Sequence, residues 1–496
     1  MTELDIFRST VKQIKAYHFA LSMIGWDANT EAPRASSERR SEMASLLSKE
    51  LFLIQTSEKY QQSILFLYEN LESYDDLIQR EIKKAKKDID KIKNIPENEY
   101  IDYHRLISAS QMIWEDAKAN NDYHSFKSNL SKIINYTKKF ALYYDSSTHP
   151  YDTLLQDYEE GMTTKEYDQF FDALKKDLVP FVKHIIQKSK PNDDLIIKGK
   201  FEKEKQKEFS QYLLDEFGFD RNKGLLKESV HPFTWNTSPN DVRLTTKYLE
   251  DYIFSSIYST AHELGHAVYE QQISSAYDDT LLSGGTSMGI HESQSRFYEN
   301  NIGRSLAFWE THLDRLKELF PTQLSHLSTY DMYKASNKVE SSLIRIEADE
   351  LTYSLHIMVR YDIERMLFSE EISVDELPSI WNDLMEKYLG VRPNNDSEGV
   401  LQDVHWSDGM FGYFPTYALG SAYSAQIYHA MKKDLDVDDC IKNHSLTKIN
   451  LWLKEKIHQY GSSKTPKELM MMVTSEPFNP KYYIEYLIEK YSKIYN

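Results

Sequence analysis

Residues that break helices are scarce in this chain. Its 496 residues include only 16 Gly and 14 Pro, and apolar residues recur at helical spacing between faces rich in Lys and Glu. The pattern predicts helices in several segments, among them residues 4–24, 36–54, 103–119, 123–144, 165–188 and 202–217. The chain is therefore expected to be mainly α-helical.

Only short segments depart from the helical pattern. Residues 240–246 are β-branched and alternate in polarity after a Ser-Pro pair, which predicts a strand. Residues 231–235 are expected to be loop or extended chain because Pro232 disfavours helix in the residue before it. Residues 390–399 hold turn formers. No linker or repeat divides the sequence, so we predict a single domain over residues 1–496, with two lobes around a cleft.

The composition excludes several classes of partner. Lys and Arg number 59 against 77 Asp and Glu, a formal net charge of −18, so neither nucleic acid nor an anionic membrane surface is an expected partner. One cysteine, Cys440, permits no internal disulfide, which suits a reducing compartment. We see no signal peptide and no run of about 18 apolar residues. The expected location is the cytoplasm.

The segment His262-Glu263-Leu264-Gly265-His266 carries the strongest chemical signal. On a helix, residues four apart share one face, so both imidazoles can reach one ion. Glu263 points about 100° round the axis, where it can contact a water on that ion. This is the arrangement of a zinc hydrolase. Such a pentapeptide also arises by accident, but its apolar and aromatic flanks imply buried histidines whose nitrogens need partners.

A catalytic zinc needs a third protein ligand, and the following segment offers candidates. Glu270 lies one turn beyond His266 and about 6 Å further along the axis, too far to share the ion. His291 and Glu292 follow a break at residues 283–286 that lets a second helix pack against the first.

Several further blocks accompany this motif. They are Trp26-Asp-Ala-Asn-Thr-Glu-Ala-Pro33, His231-Pro-Phe233, Asp241-Val-Arg-Leu-Thr245, Gly289-Ile-His-Glu-Ser-Gln-Ser-Arg296, Ile344-Arg-Ile-Glu-Ala-Asp349 and Gly399-Val-Leu-Gln-Asp-Val-His-Trp406. In this order they resemble the signature segments of the M32 metallocarboxypeptidases, also called the carboxypeptidase Taq family. The resemblance runs from Trp26 to Trp406, and it is far more specific than one pentapeptide.

The resemblance implies a fold and a metal site. It implies a large two-lobed helical gluzincin-type fold with a deep central groove, a small antiparallel β-sheet beside the zinc helix, and a homodimer. It makes Glu292 the third ligand with His262 and His266, and leaves His291 as a neighbour. The expected ion is Zn²⁺, with Co²⁺ or Mn²⁺ as substitutes because two histidines and a glutamate suit all three.

The resemblance also assigns groups that would contact substrate. Arg345 is expected to bind the terminal carboxylate, although an ion pair with Asp349 is an alternative for it. Arg243 is the competing cation, and His231 is a further candidate for substrate binding. His405 and Tyr417 are expected to stabilise the oxyanion, with Tyr413 as the alternative to Tyr417. Asp403 or Asp349 is expected to orient a histidine.

The predicted function is zinc-dependent removal of C-terminal residues from peptides, with Glu263 as the base that activates water. Two alternatives remain. A helical gluzincin oligoendopeptidase would cut internal bonds. The variant Arg345→Ala distinguishes the two activities, because it should harm C-terminal release more than internal cleavage. A metal-binding helical scaffold without catalysis would have a closed site and no need of Glu263.

Overall fold

The computed structural model describes residues 2–188 and 197–495, and helices dominate both ranges. The α-helices are α1 (Glu3–Thr30), α2 (Ser37–Gln55), α3 (Glu58–Glu69), α4 (Asp76–Ile92), α5 (Glu97–Asn120), α6 (Tyr123–Tyr144), α7 (Pro150–Tyr158), α8 (Thr164–Lys188), α9 (Lys203–Glu216), α10 (Ile253–Gln271), α11 (Met288–Arg296), α12 (Leu306–Leu319), α13 (Pro321–Leu324), α14 (Thr329–Ser336), α15 (Tyr353–Phe368), α16 (Leu377–Leu389), α17 (Phe414–Asp434), α18 (Val437–Lys442), α19 (Leu446–Lys456), α20 (Pro466–Thr474) and α21 (Lys481–Tyr495).

The prediction of a mainly helical fold is confirmed. The six segments predicted from periodicity correspond to α1, α2, α5, α6, α8 and α9. The predicted and observed helices differ mainly in where they begin and end. Helix α5 begins at Glu97 instead of residue 103, and α1 continues to Thr30. In the described ranges, no helix combines the length and apolar character needed to cross a membrane.

A mixed three-stranded sheet lies next to α10. Its strands are β1 (Gly224–Glu228), β2 (Thr234–Ser238) and β3 (Asp241–Thr246), in the spatial order β1-β3-β2. Strand β2 pairs antiparallel with β3, whereas β1 pairs parallel with it. The expectation of an antiparallel sheet is therefore wrong for β1. The chain reverses twice between β1 and β3, which returns β3 to the direction of β1.

Two hydrophobic clusters take in nearly all of the buried apolar side chains of the described residues. The smaller one is formed by α1–α4 around Phe7, Ile64 and Ile82, and the larger one takes in α6 to α21 and the sheet. A cavity of about 470 Å³ lies between α1–α4, the β2–β3 turn and residues 280–284. This arrangement agrees with the expected lobes on either side of a groove.

Two glycines bring three helices into close contact around the middle of the larger cluster. A Cβ on Gly265 of α10 would overlap the backbone of Gln294 and Ser295 in α11. A Cβ on Gly420 of α17 would overlap Glu292, also in α11. Because neither glycine has a side chain, α11 lies directly between α10 and α17. These contacts position the residues described next.

Candidate metal centre and active site

His262 and His266 on α10 meet Glu292 on α11 in the larger cluster. One ligand atom from each residue lies within 4.8 Å of the other two. The Oε2 atom of Glu292 is 3.8 Å from Nε2 of His262 and 3.7 Å from Nε2 of His266. Ligands around a tetrahedral zinc with bonds of about 2.1 Å are roughly 3.4 Å apart. The donor set and its spacing therefore fit a divalent ion such as zinc.

The outer nitrogen of each histidine has a partner. Nδ1 of His262 lies 3.0 Å from Oε2 of Glu299. Nδ1 of His266 lies 2.5 Å from Nδ1 of His291, whose Nε2 lies 2.8 Å from Oε1 of Glu270. These contacts leave both Nε2 atoms directed at Glu292 and fix the orientation of each ring. His291 thus stays outside the candidate ligand set and contacts His266 instead.

Glu299 lies in a π-helical turn, Phe297–Gly303, that follows α11 directly. Burial alone would raise the pKa of its carboxyl, but Arg296, His262 and Arg304 together hold that pKa well below its usual range. Glu299 is therefore a permanent anion beside His262. Arg296 also donates from Nε to Oε1 of Glu292 at 2.6 Å, which leaves Oε2 facing the histidines.

Glu263 lies beside the three candidate ligands and is buried. Thr234 of the edge strand β2 donates from its hydroxyl to Oε2 of Glu263 at 2.6 Å. Burial raises the pKa of the Glu263 carboxyl. The sequence pattern does not single out Thr234, because the contact depends on β2 packing against α10. The hydrogen bond fixes one carboxylate oxygen and leaves the other available.

Arg345 is buried at the start of a short 3-10 turn, Arg345–Glu347. It donates to Oδ1 of Asp403 from Nη2 at 2.8 Å and from Nε at 3.1 Å. Arg360 donates from Nε to the other oxygen of Asp403 at 2.7 Å. The alternative ion pair between Arg345 and Asp349 does not form. Asp349 instead accepts backbone N–H groups just before α15, including that of Leu351.

Asp403 was expected as an orienter of a histidine, and its contacts differ from that expectation. Burial would raise the pKa of its carboxyl, but Arg360 and Arg345 hold that pKa well below the usual range. The three groups comprise two cations and one anion. One positive charge is therefore left over at Arg345 and Arg360, a suitable place for an incoming carboxylate.

His405 and Tyr417 are brought together. Nε2 of His405 lies 3.4 Å from the hydroxyl of Tyr417, and burial lowers the pKa of His405 to about 4. The Tyr413 ring stacks on His405 with centroids 5.6 Å apart, so it also belongs to this group. Tyr417 lies one turn before Gly420 on α17, the residue that contacts Glu292. The guanidinium of Arg345 lies 5.1 Å from the centre of the Tyr417 ring.

Arg243 and His231 lie on the sheet side of the site. Arg243, on β3, donates to Asp241 at 2.7 and 3.0 Å and lies 5.7 Å from the Trp26 ring. His231 is exposed in the loop between β1 and β2, where its backbone carbonyl accepts a hydrogen bond from Ser229. In the described part of the chain, neither side chain contacts His262, His266 or Glu292.

The model of the carboxypeptidase Taq (M32) metallopeptidase family matches residues 6–491 of this sequence. The chain belongs to that family. This confirms the resemblance drawn from the motifs, and it makes the chain a metallocarboxypeptidase, a peptide hydrolase that works with a divalent metal.

Relatives of this M32 chain match it over nearly their whole length. Carboxypeptidase 1 of Bacillus subtilis (strain 168) is 44% identical over 99% of this chain and 98% of its own. Thermostable carboxypeptidase 1 of Pyrococcus furiosus is 39% identical, with 98% and 99% covered. The crystal structure of an M32 carboxypeptidase from Deinococcus radiodurans R1 superposes with a TM-score of 0.96 at 31% identity, with 99% of both chains covered.

Proposed function

We propose that this M32 chain is a zinc-dependent carboxypeptidase that removes single residues from the C-termini of peptides. The observation that carries the proposal is the meeting of His262, His266 and Glu292, with each outer histidine nitrogen already occupied. Such a set presents three neutral or anionic donors and keeps a position for water, as catalytic zinc sites do.

His262, His266 and Glu292 would hold Zn²⁺, with Co²⁺ or Mn²⁺ as substitutes. When bound, the ion supplies Lewis acidity that polarises the scissile carbonyl and lowers the pKa of water. Glu263 takes the proton from the attacking water and passes it to the leaving nitrogen. The hydrogen bond from Thr234 holds the carboxylate of Glu263 in place during both transfers.

His405 and Tyr417 would donate hydrogen bonds to the oxygen that gains negative charge during attack. The lowered pKa of His405 keeps its ring neutral, and the pKa of Tyr417 is raised by burial, so both remain N–H and O–H donors at neutral pH. Donors of this kind stabilise the charge most where water is excluded. Tyr413 would be the alternative to Tyr417, a role supported by the stacking of its ring on His405.

Arg345 would anchor the terminal carboxylate, supported by the positive charge left over after Asp403 is shared with Arg360. Arg243 and His231 would contact the peptide further along the groove. The outer edge of β2 is a further candidate for contact with peptide backbone, since β2 is at the edge of the sheet.

An oligoendopeptidase is the second candidate, because Arg345 is buried and already bound to Asp403. Incubation of an N-acylated peptide with the metal-loaded protein, followed by mass spectrometry, separates the two. We expect a ladder of products that lose one C-terminal residue at a time, and no products after chelation. Internal fragments appearing first would instead establish the endopeptidase.

The matched variants in this experiment are Arg345→Ala and Arg243→Ala. Loss of a charged hydrogen bond is worth about 1.5–3 kcal/mol, or roughly 10- to 100-fold. We expect Arg345→Ala to lower kcat/KM for C-terminal release by that factor, and Arg243→Ala to have a smaller effect. Equal effects would assign the carboxylate contact to neither arginine alone.

We also propose one catalytic domain over residues 1–496, a homodimer and a cytoplasmic location. The large hydrophobic cluster that joins α6 to α21 supports the single domain. The family resemblance supports the dimer, which light scattering would test. The single cysteine, Cys440, supports a reducing compartment.

A further inference from the structure

A second group of metal-ligand residues lies outside the active site. It consists of Glu216 at the end of α9, His312 on α12 and His444 in the turn between α18 and α19. One ligand atom from each lies within 4.8 Å of the other two. None of the three belongs to a motif block or contacts the catalytic residues, so the function proposed above leaves them unexplained. We call these residues the peripheral cluster.

His312 has a ring nitrogen without a partner. Its side chain is fully buried, and its Nδ1 lies 2.8 Å from the hydroxyl of Tyr212. Its Nε2 is also buried and has no hydrogen-bond partner in the described part of the chain. Leaving a buried polar atom unpaired destabilises the folded protein, because the atom loses its hydrogen bonds to water. A ligand at Nε2 would remove that destabilisation.

Tyr212 is the partner of the other ring nitrogen of His312. It precedes Glu216 by one turn of α9, and its hydroxyl lies 2.8 Å from Nδ1 of His312. Nδ1 is therefore occupied, and Nε2 is the nitrogen that has no partner. Histidines that bind metals hold their other ring nitrogen against a partner in the same way.

His444 occupies a backbone position that favours glycine. Its φ is +51°, and the amide of Ser445 donates to the carbonyl of Cys440 at 2.8 Å, which closes the end of α18. A residue with a Cβ is destabilising in this left-handed conformation, because the Cβ approaches the following carbonyl oxygen. The half-exposed His444 ring lies with Nδ1 2.7 Å from Oε2 of Glu216. The strained position thus carries a side chain that reaches the cluster.

We infer that the peripheral cluster is a second metal site, which binds Zn²⁺ or a similar transition ion through His312, His444 and Glu216. Two imidazoles and a carboxylate are ordinary zinc ligands, and the exposed side of His444 leaves room for a water as the fourth. The ion would take the place of the direct contact between Nδ1 of His444 and Oε2 of Glu216. Because it joins α9, α12 and the α18–α19 turn, the bound ion stabilises the fold without entering the reaction.

The test is the number of Zn²⁺ ions bound per chain, measured by titrating chelator-treated protein against a chromophoric zinc chelator. We expect two equivalents for the wild type and one for His444→Gly, with peptide hydrolysis unchanged at saturating zinc. Glycine suits the left-handed backbone, so this variant removes a ligand and relieves strain at once. His429→Ala, at an exposed histidine on α17, is the control and keeps both equivalents. One equivalent in the wild type, or two in His444→Gly, would overturn the inference.

A second measurement separates this site from the catalytic one. The double variant His262→Ala/His266→Ala should still bind one Zn²⁺ ion per chain, and this binding should raise Tm. The further substitution Glu216→Gln in the same chain should abolish both the binding and the rise in Tm. A rise in Tm that survives Glu216→Gln would contradict the assignment. This arm does not depend on peptide hydrolysis, so it stands even if the proposed catalytic function fails.

Discussion

The proposed catalytic site and the peripheral cluster use the same three types of ligand in different surroundings. At the catalytic site both histidines hold their outer nitrogens against Glu299 and His291, and Glu263 lies next to them. At the peripheral cluster, Tyr212 supports His312, while His444 is half exposed in a turn. Two histidines and a glutamate therefore do not by themselves define an activity. The surrounding carboxylates, arginines and tyrosines decide whether a bound ion does chemistry or joins helices.

The largest expected effect distinguishes the carboxylates of the two sites. Glu263→Gln should lower kcat by about a thousandfold, because a general base contributes roughly 10²–10⁴, while the bound zinc is retained. Glu216→Gln should leave kcat unchanged at saturating zinc, and this variant should bind one zinc ion per chain instead of two. Steady-state rates and zinc content of the two variants check this. Retention of full activity by Glu263→Gln would remove the mechanistic difference between the sites.

A smaller effect is expected from the groups that hold the outer histidine nitrogens. Glu299→Gln should weaken catalytic zinc binding by about 10- to 100-fold, the usual cost of losing such a partner. Tyr212→Phe should weaken zinc binding at the peripheral cluster only, by a similar or smaller factor. Competitive zinc titrations of both variants measure the two affinities, and circular dichroism checks that the fold is intact. If Tyr212→Phe weakened the catalytic equivalent instead, the two sites would be coupled.

The smallest expected effect concerns a buried carboxyl behind the catalytic residues. Glu364 accepts hydrogen bonds from Nε1 of Trp406 at 2.7 Å, from the amide of Gly412 at 2.8 Å and from the hydroxyl of Tyr151 at 2.9 Å. Burial raises its pKa to about 7. Glu216 of the peripheral cluster has no such enclosure, since its side chain is 18% exposed. A stability change near neutral pH is therefore expected from Glu364, on the catalytic side of the molecule.

The sign of that change follows from the raised pKa of Glu364. The protonated form is favoured in the folded state, so its stabilisation is complete at low pH and is lost as pH rises through about 7. Between pH 5 and pH 8 the wild type should lose on the order of 2–3 kcal/mol relative to Glu364→Gln. For a chain of this size that is roughly 3 °C in Tm. A difference in Tm between variant and wild type that does not grow with pH would contradict the assignment.

Local patterns were enough to predict the helices and the histidines of α10. Helical periodicity and the spacing of His262 and His266 are properties of short segments, and the folded protein has helices at these segments. Strand β3 was also visible from alternation. Strand β1 was not, because Gly224–Glu228 lacks β-branched residues and owes its pairing to β3.

The residues that were missed all act across elements far apart in the sequence. Thr234 reaches Glu263 only because β2 packs on α10. Arg360, on α15, donates to Asp403, which lies 43 residues further along the chain. Asp403 pairs with two arginines and Asp349 accepts backbone N–H groups, so neither makes the predicted hydrogen bond to a histidine. The peripheral cluster joins positions 216, 312 and 444, which no spacing rule connects. Sequence reasoning without a fold had no signal for any of these contacts.

The two glycine contacts around α11 have a consequence for the life of the protein in the cell. Gly265 and Gly420 let backbones, not the ion, hold Glu292 opposite the histidines. Because backbone packing already positions Glu292, we expect the chain to fold without the ion and metal loading to follow as a separate equilibrium. The active fraction of folded molecules would then depend on the concentration of free metal ion.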